Sequence, residues 1–171
     1  GRLVQVIEDP SVTQGDGRLN YQTNYTYDVL GNLTRVRQGG FPQASSGNVI
    51  QTRAFLYDSL SRLNYASNPE QDAMVPGPTG TGTRWTMKYE YDNNGNLIKR
   101  TDSRLIASNY SYDALNRNTQ VSYSGETGTP TPIVRRYYDT APNGKGRLEH
   151  TETDNLDPRN NGQIAYSRTY I

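Results

Sequence analysis

Tyr25-Thr26-Tyr27-Asp28-Val29-Leu30-Gly31-Asn32-Leu33 decides the fold of this chain. Tyr-x-Tyr alternates, so both rings fall on one face of a β-strand, a setting that suits aromatic side chains. Asp is favoured at the first position of a tight turn, where its carboxylate reaches backbone N–H groups further on. Gly three residues later supplies the left-handed conformation that closes a short hairpin loop. Leu33 then opens a return strand through Thr34-Arg35-Val36. One such stretch predicts one hairpin.

The stretch recurs. Tyr57-Asp58-Ser59-Leu60-Ser61-Arg62-Leu63 follows Phe55, which stands where the first Tyr would be. Next come Tyr89-Glu90-Tyr91-Asp92-Asn93-Asn94-Gly95-Asn96-Leu97 and Tyr110-Ser111-Tyr112-Asp113-Ala114-Leu115-Asn116-Arg117-Asn118. A fifth copy, Tyr137-Tyr138-Asp139, turns through Pro142, Asn143 and Gly144 and closes at Gly146-Arg147-Leu148. The Asp-to-Asp spacings are 30, 34, 21 and 26 residues, so the bare unit is about 21 residues and the others carry insertions. Gly39-Gly40-Phe41-Pro42, Pro76-Gly77-Pro78-Thr79-Gly80 and the stretch 125–132 hold the Gly and Pro that mark loops. The repeat resumes after each one, so residues 1–171 read as one array of about five hairpins without separate domains. Gly1-Arg2-Leu3 resembles the second half of a repeat, and Tyr166 to Ile171 the opening of another. Of the αL positions, Asn116 takes the conformation at modest cost and Ser61 less well, which predicts the most strain in the second hairpin.

Composition agrees with an ordered but unusual protein. Leu, Ile, Val and Phe supply only 30 of 171 residues, a share that alone suggests disorder. The net charge of +1 and the 14 Tyr argue otherwise. Tyr is expected to pack where other proteins use Leu. A single hairpin is marginal in water, so hairpins stacked side by side should stabilise one another. Arg35, Arg53, Arg62, Arg117, Arg135 and Arg136 are placed to stack on the tyrosines.

Several classes are excluded. No apolar run is long enough to cross a membrane as a helix. No signal or transit peptide is visible. Cys is absent, so there is neither a disulfide framework nor a thiolate metal site. The 15 Arg and 3 Lys are spread evenly among 17 acids, without the basic stripe of a nucleic-acid binder.

These motifs resemble the YD repeat, also called the Rhs repeat, over nearly the whole chain. The resemblance implies an all-β fold: tandem hairpins in a continuous antiparallel sheet that spirals and closes into a hollow shell. Bacterial members include Rhs toxins and the shell components of Tc toxin complexes, where the shell encloses a toxin. Animal teneurins use a related shell in adhesion, and some members are linked to carbohydrate binding. What the resemblance implies here is a wall segment of a secreted or surface shell, partnered by neighbouring repeats and an enclosed toxin polypeptide. The alternative is an extracellular carbohydrate-binding or self-associating adhesive module. Self-cleaving bacterial shells carry Asp-Pro-x-Gly; Asp157-Pro158 matches two letters, but Asn160 replaces Gly, so this reads as a turn.

Little chemistry is expected. His150 is the one histidine; it lies on a return strand and reads as ordinary surface. Asp92-Asn93-Asn94-Gly95-Asn96 has Leu97 and Ser103 where an EF-hand needs Gly and Glu, so it reads as a turn. Gly80-Thr81-Gly82 lacks the strand–helix context of a phosphate loop. Asn24, Asn32 and Asn109 head glycosylation sequons, two of them inside the repeat. The recurring Asp28, Asp58, Asp92, Asp113 and Asp139 read as turn-formers rather than catalysts, and no enzyme, metal or cofactor is expected. Trp85 is the candidate for an exposed residue that stacks on sugars.

Overall fold

A computed structural model describes residues 1–10, 21–39, 50–71, 74–80, 82–154 and 164–169. The loop 40–42, Asp157-Pro158, Thr81 and Tyr170-Ile171 lie outside the described residues, as do the side chains of 164–169.

The described residues contain strands and no helix. The strands are β1 (Gln5–Glu8), β2 (Tyr21–Tyr27), β3 (Leu33–Gly39), β4 (Gln51–Tyr57), β5 (Leu63–Ser67) and β6 (Met87–Tyr91). They continue with β7 (Leu97–Thr101), β8 (Ala107–Tyr112), β9 (Asn118–Ser124), β10 (Val134–Tyr138), β11 (Leu148–Asp154) and β12 (Ile164–Thr169). Each strand hydrogen-bonds to its neighbours in chain order, without a crossover. The chain forms two compact units, Gly1–Lys88 and Tyr89–Ile171. The all-β architecture of tandem antiparallel hairpins therefore stands.

The motif sets the boundaries of the strands. Outgoing strands end at the second Tyr of each copy (27, 57, 91, 112, 138), and return strands begin at the Leu position (33, 63, 97, 118, 148). Between them, in the first four copies, the turn is chemically uniform. The Asp28 amide donates to the Asn32 carbonyl at 3.0 Å, and the Gly31 amide to the Asp28 carbonyl at 3.1 Å. Turns at Asp58, Asp92 and Asp113 repeat both bonds at 2.9–3.1 Å. The third residue after Asp is left-handed each time: Gly31 (φ 93°), Ser61 (60°), Gly95 (88°) and Asn116 (60°). Immediately after the turn, the return strand carries an extra residue. Tyr27 pairs with Leu33 but Thr26 with Arg35, which leaves Thr34 as a bulge. Asn64, Thr119 and Glu149 are bulged in the same way, and such bulges sharpen the local twist.

Pairing between hairpins is equally constant. Gln5 faces Asn24, Arg35 faces Ala54, Tyr65 faces Lys88, Lys99 faces Asn109 and Gln120 faces Arg135. In every case the second partner lies three residues before the second Tyr of its motif.

The core is small. In the first unit Ala54, Val75 and Trp85 are buried together, with Leu56 and Tyr65 packed against them. In the second, Ala107, Ser108 and Val121 are buried. The motif tyrosines are half-buried rather than fully enclosed. Tyr thus differs from a buried Leu: its ring is only partly covered, and at Tyr27, Tyr112 and Tyr138 the hydroxyl also reaches a partner.

Candidate functional site

The recurring side-chain arrangement of this chain is the seam where the turn of one hairpin meets the turn of the next. Its first component is each turn aspartate. Asp28 Oδ1 accepts from the Asn32 amide at 2.8 Å and Oδ2 from Asn32 Nδ2 at 2.9 Å. Asp92 does the same with Asn96. Where the fourth residue is Arg, its Nε replaces the amide nitrogen: Arg62 to Asp58 at 2.8 Å and Arg117 to Asp113 at 2.7 Å. Bonds to a carboxylate favour its charged form. The Asn32 side chain accordingly lowers the Asp28 pKa, and the Arg62 and Arg117 amides lead in lowering those of Asp58 and Asp113.

The second component is the outer Tyr. Tyr27 Oη donates to the Leu3 carbonyl at 2.9 Å, Tyr112 Oη to Leu97 at 2.9 Å and Tyr138 Oη to Asn118 at 3.0 Å. Leu97 and Asn118 open the return strands β7 and β9 of the preceding hairpins, and Leu3 lies two residues before β1. Burial raises the Tyr112 pKa above the usual tyrosine value.

The third component is the residue four positions after the aspartate, which also reaches forward. Asn32 Nδ2 donates to Ser61 Oγ at 3.1 Å, and Asn96 Nδ2 to Asn116 Oδ1 at 2.8 Å. Arg117 forks onto Asp139 at 3.0 and 2.6 Å and lies 4.4 Å from the Tyr138 ring centroid. Chiefly through that Arg117 fork, the Asp139 pKa falls to about 2, while the Arg117 pKa rises. Arg2 sits over Tyr27 at 5.6 Å in the same relation. Of the arginines expected to stack on Tyr, Arg117 does so. Arg53 instead contacts Gln38 and Glu70, and Arg136 contacts Asn118.

Two expectations are corrected. Trp85 is only 5% exposed. It packs 5.6 Å from Tyr65, and Gly77 lies so close that a Cβ there would run into the indole. The ring is used in packing and offers no face to a sugar. Ser61 is not the costliest αL residue either. Leu105 adopts φ 64° with a bulkier side chain, in a turn that sequence reasoning missed. Asp102-Ser103-Arg104-Leu105-Ile106 joins β7 to β8 with the same amide bonds, Asp102 to Ile106 and Leu105 to Asp102. It lacks both the preceding Tyr and the Gly; only the Asp signalled it.

His150 is more than plain surface. Its ring stacks on Tyr137 at 4.4 Å and 12°, and its two nitrogens lie 3.4 Å from Glu149 and 3.3 Å from Glu152. Asp92 Oδ1 accepts from the amides of Asn94 and Asn96 at 2.9 and 2.8 Å, as a hairpin turn does. Among the described residues no group of three or more acidic or His side chains is placed to hold a metal.

No protein-family model matches this sequence, and no curated protein matches it. Solved structures do. A structure of the Photorhabdus luminescens Tc holotoxin pore matches with a TM-score of 0.52 at 19% identity over 88% of this chain. The TcdB2-TccC3-TEV crystal structure matches with a TM-score of 0.59 at 17% identity over 98% of it. This chain spans 6% and 8% of the lengths of those chains. Its fold is thus one that also occurs within much longer Tc toxin chains.

Proposed function

We propose that this chain is a segment of the wall of a large YD-repeat shell, secreted or displayed at a cell surface, that encloses a toxin or effector polypeptide. The supporting observation is the constant register between successive hairpins, held by the Tyr hydroxyl bonds and the forward-reaching Asn and Arg residues. Such an array extends by repetition and sums its stability over neighbours. The similarity of fold to parts of Tc toxin chains favours the same reading. On it, the chain acts as a frame: partners are neighbouring repeats and the enclosed cargo, and catalysis belongs to other parts of the assembly.

The test is the intact mass of the native polypeptide, with sequence coverage at both ends, followed by limited proteolysis. The expected result is a polypeptide several times longer than 171 residues, carrying more repeats and a non-repetitive segment shielded from protease. A native chain of this length that elutes as a large assembly would overturn the reading in favour of a self-associating fibre.

A further inference from the structure

The seam explains an oddity of the sequence. The αL position of each turn suits Gly, and Gly31 and Gly95 occupy it in two turns. Ser61 and Asn116 occupy it in two others, both at φ 60°, where a side chain is unfavourable. These two receive the hydrogen bonds from Asn32 and Asn96 of the preceding turns, at 3.1 and 2.8 Å. Turns preceded by arginine are built differently. A Cβ on Gly31 would collide with the Arg2 guanidinium, which fills that space and covers Tyr27. Arg117 faces a carboxylate, Asp139, and the Tyr138 ring.

We propose that the residue four positions after each turn aspartate selects which hairpin can follow. Asparagine takes a hairpin with a short polar side chain at its αL position. Arginine takes one whose αL position is bare or whose aspartate and Tyr ring face the guanidinium. The hairpins are therefore matched in pairs and are not interchangeable modules. The matching is independent of what the array encloses, so it stands or falls apart from the shell reading.

Asn32 and Ser61 allow a clean test. Arginine at this position keeps the bond to its own aspartate, as Arg62 and Arg117 do at 2.8 and 2.7 Å. Asn32→Arg thus alters mainly the forward contact. The chain, Asn32→Arg, Ser61→Gly and the double variant are unfolded in urea and followed by far-UV circular dichroism. Backbone preference alone predicts that Ser61→Gly stabilises and that the two effects multiply independently. Matching predicts that Asn32→Arg is damaging beside Ser61 and tolerated in the Ser61→Gly background. Independent sites agree to within about twofold, so a coupling of about threefold or more in the unfolding constant, with the double variant more stable than the product predicts, supports the proposal. A smaller coupling, or one of opposite sign, overturns it. If Asn32→Arg alone fails to fold and the double variant folds, the coupling is shown directly. If neither folds, the cycle of Asn32→Ala with Ser61→Gly decides by the same threshold.

Discussion

Replacing Tyr112 by Phe removes one oxygen and leaves the ring. That oxygen donates to the Leu97 carbonyl at 2.9 Å, joining β8 to the hairpin before it. An intramolecular hydrogen bond of this kind contributes about 0.5–1.5 kcal/mol net, and more when the abandoned partner is shielded from water. The Tyr112 ring is half-buried, so water can partly re-solvate the carbonyl. The expected loss is therefore about 1 kcal/mol, or roughly 2–4 °C in melting temperature for a chain of this size. Tyr110→Phe is the internal control, because Tyr110 lies two residues earlier on the same strand, also half-buried, and its hydroxyl makes no hydrogen bond to another described residue. Urea unfolding followed by far-UV circular dichroism measures both. A Tyr112→Phe loss no greater than that of Tyr110→Phe would refute the Tyr hydroxyl as an inter-hairpin lock.

Gly77→Ala should destabilise the first unit by about 1–3 kcal/mol, since the added methyl must displace the Trp85 indole; a red-shifted Trp85 emission and an earlier urea midpoint would register it. Leu105→Gly should stabilise the second unit, by up to about 1 kcal/mol, by removing an αL side chain that is 53% exposed; calorimetry should show a higher melting temperature. Acid should weaken the seam. Folding depresses the pKa of Asp139 from 3.8 to about 2, so its contribution is complete above the unfolded value and is lost as pH falls through that interval. Asp28, Asp58, Asp92 and Asp113 shift in the same direction. Melting temperature should thus decline below about pH 4, and Asp139→Asn should flatten the lowest part of that decline.

The hairpins were legible because their determinants are local. Asp28 and Gly31 sit within one turn, and the strand ends follow the motif at all five copies. What escaped depended on partners distant in sequence. Trp85 looked available because it lies in a Gly/Pro-rich insertion, but Val75 and Ala54 cover it once that insertion packs onto the sheet. The strain at Ser61 was visible, whereas its hydrogen-bonded neighbour Asn32, 29 positions earlier, was not. Arg117 was expected to stack on a Tyr, yet its second grip on Asp139 needs a turn 22 residues away. Asp102 was overlooked because Leu105 is a poor advertisement for a left-handed residue.

The fixed register has a consequence for how such chains can change. The connection from β7 to β8 takes only residues 102–106, while that from β5 to β6 takes 68–86, yet both deliver the next strand to the same pairing. Length on that side is thus uncoupled from alignment of the ladder. Residues can be added or removed between hairpins without shifting a single cross-strand partner. The Asp turns are mostly short, but the one spanning 139–147 is longer than that at 28–32 and still returns Leu148 opposite Tyr138, whose hydroxyl keeps its bond to the Asn118 carbonyl. Both margins of the sheet can therefore take up new chain, because the ladder is aligned by the strands and not by the length of what joins them.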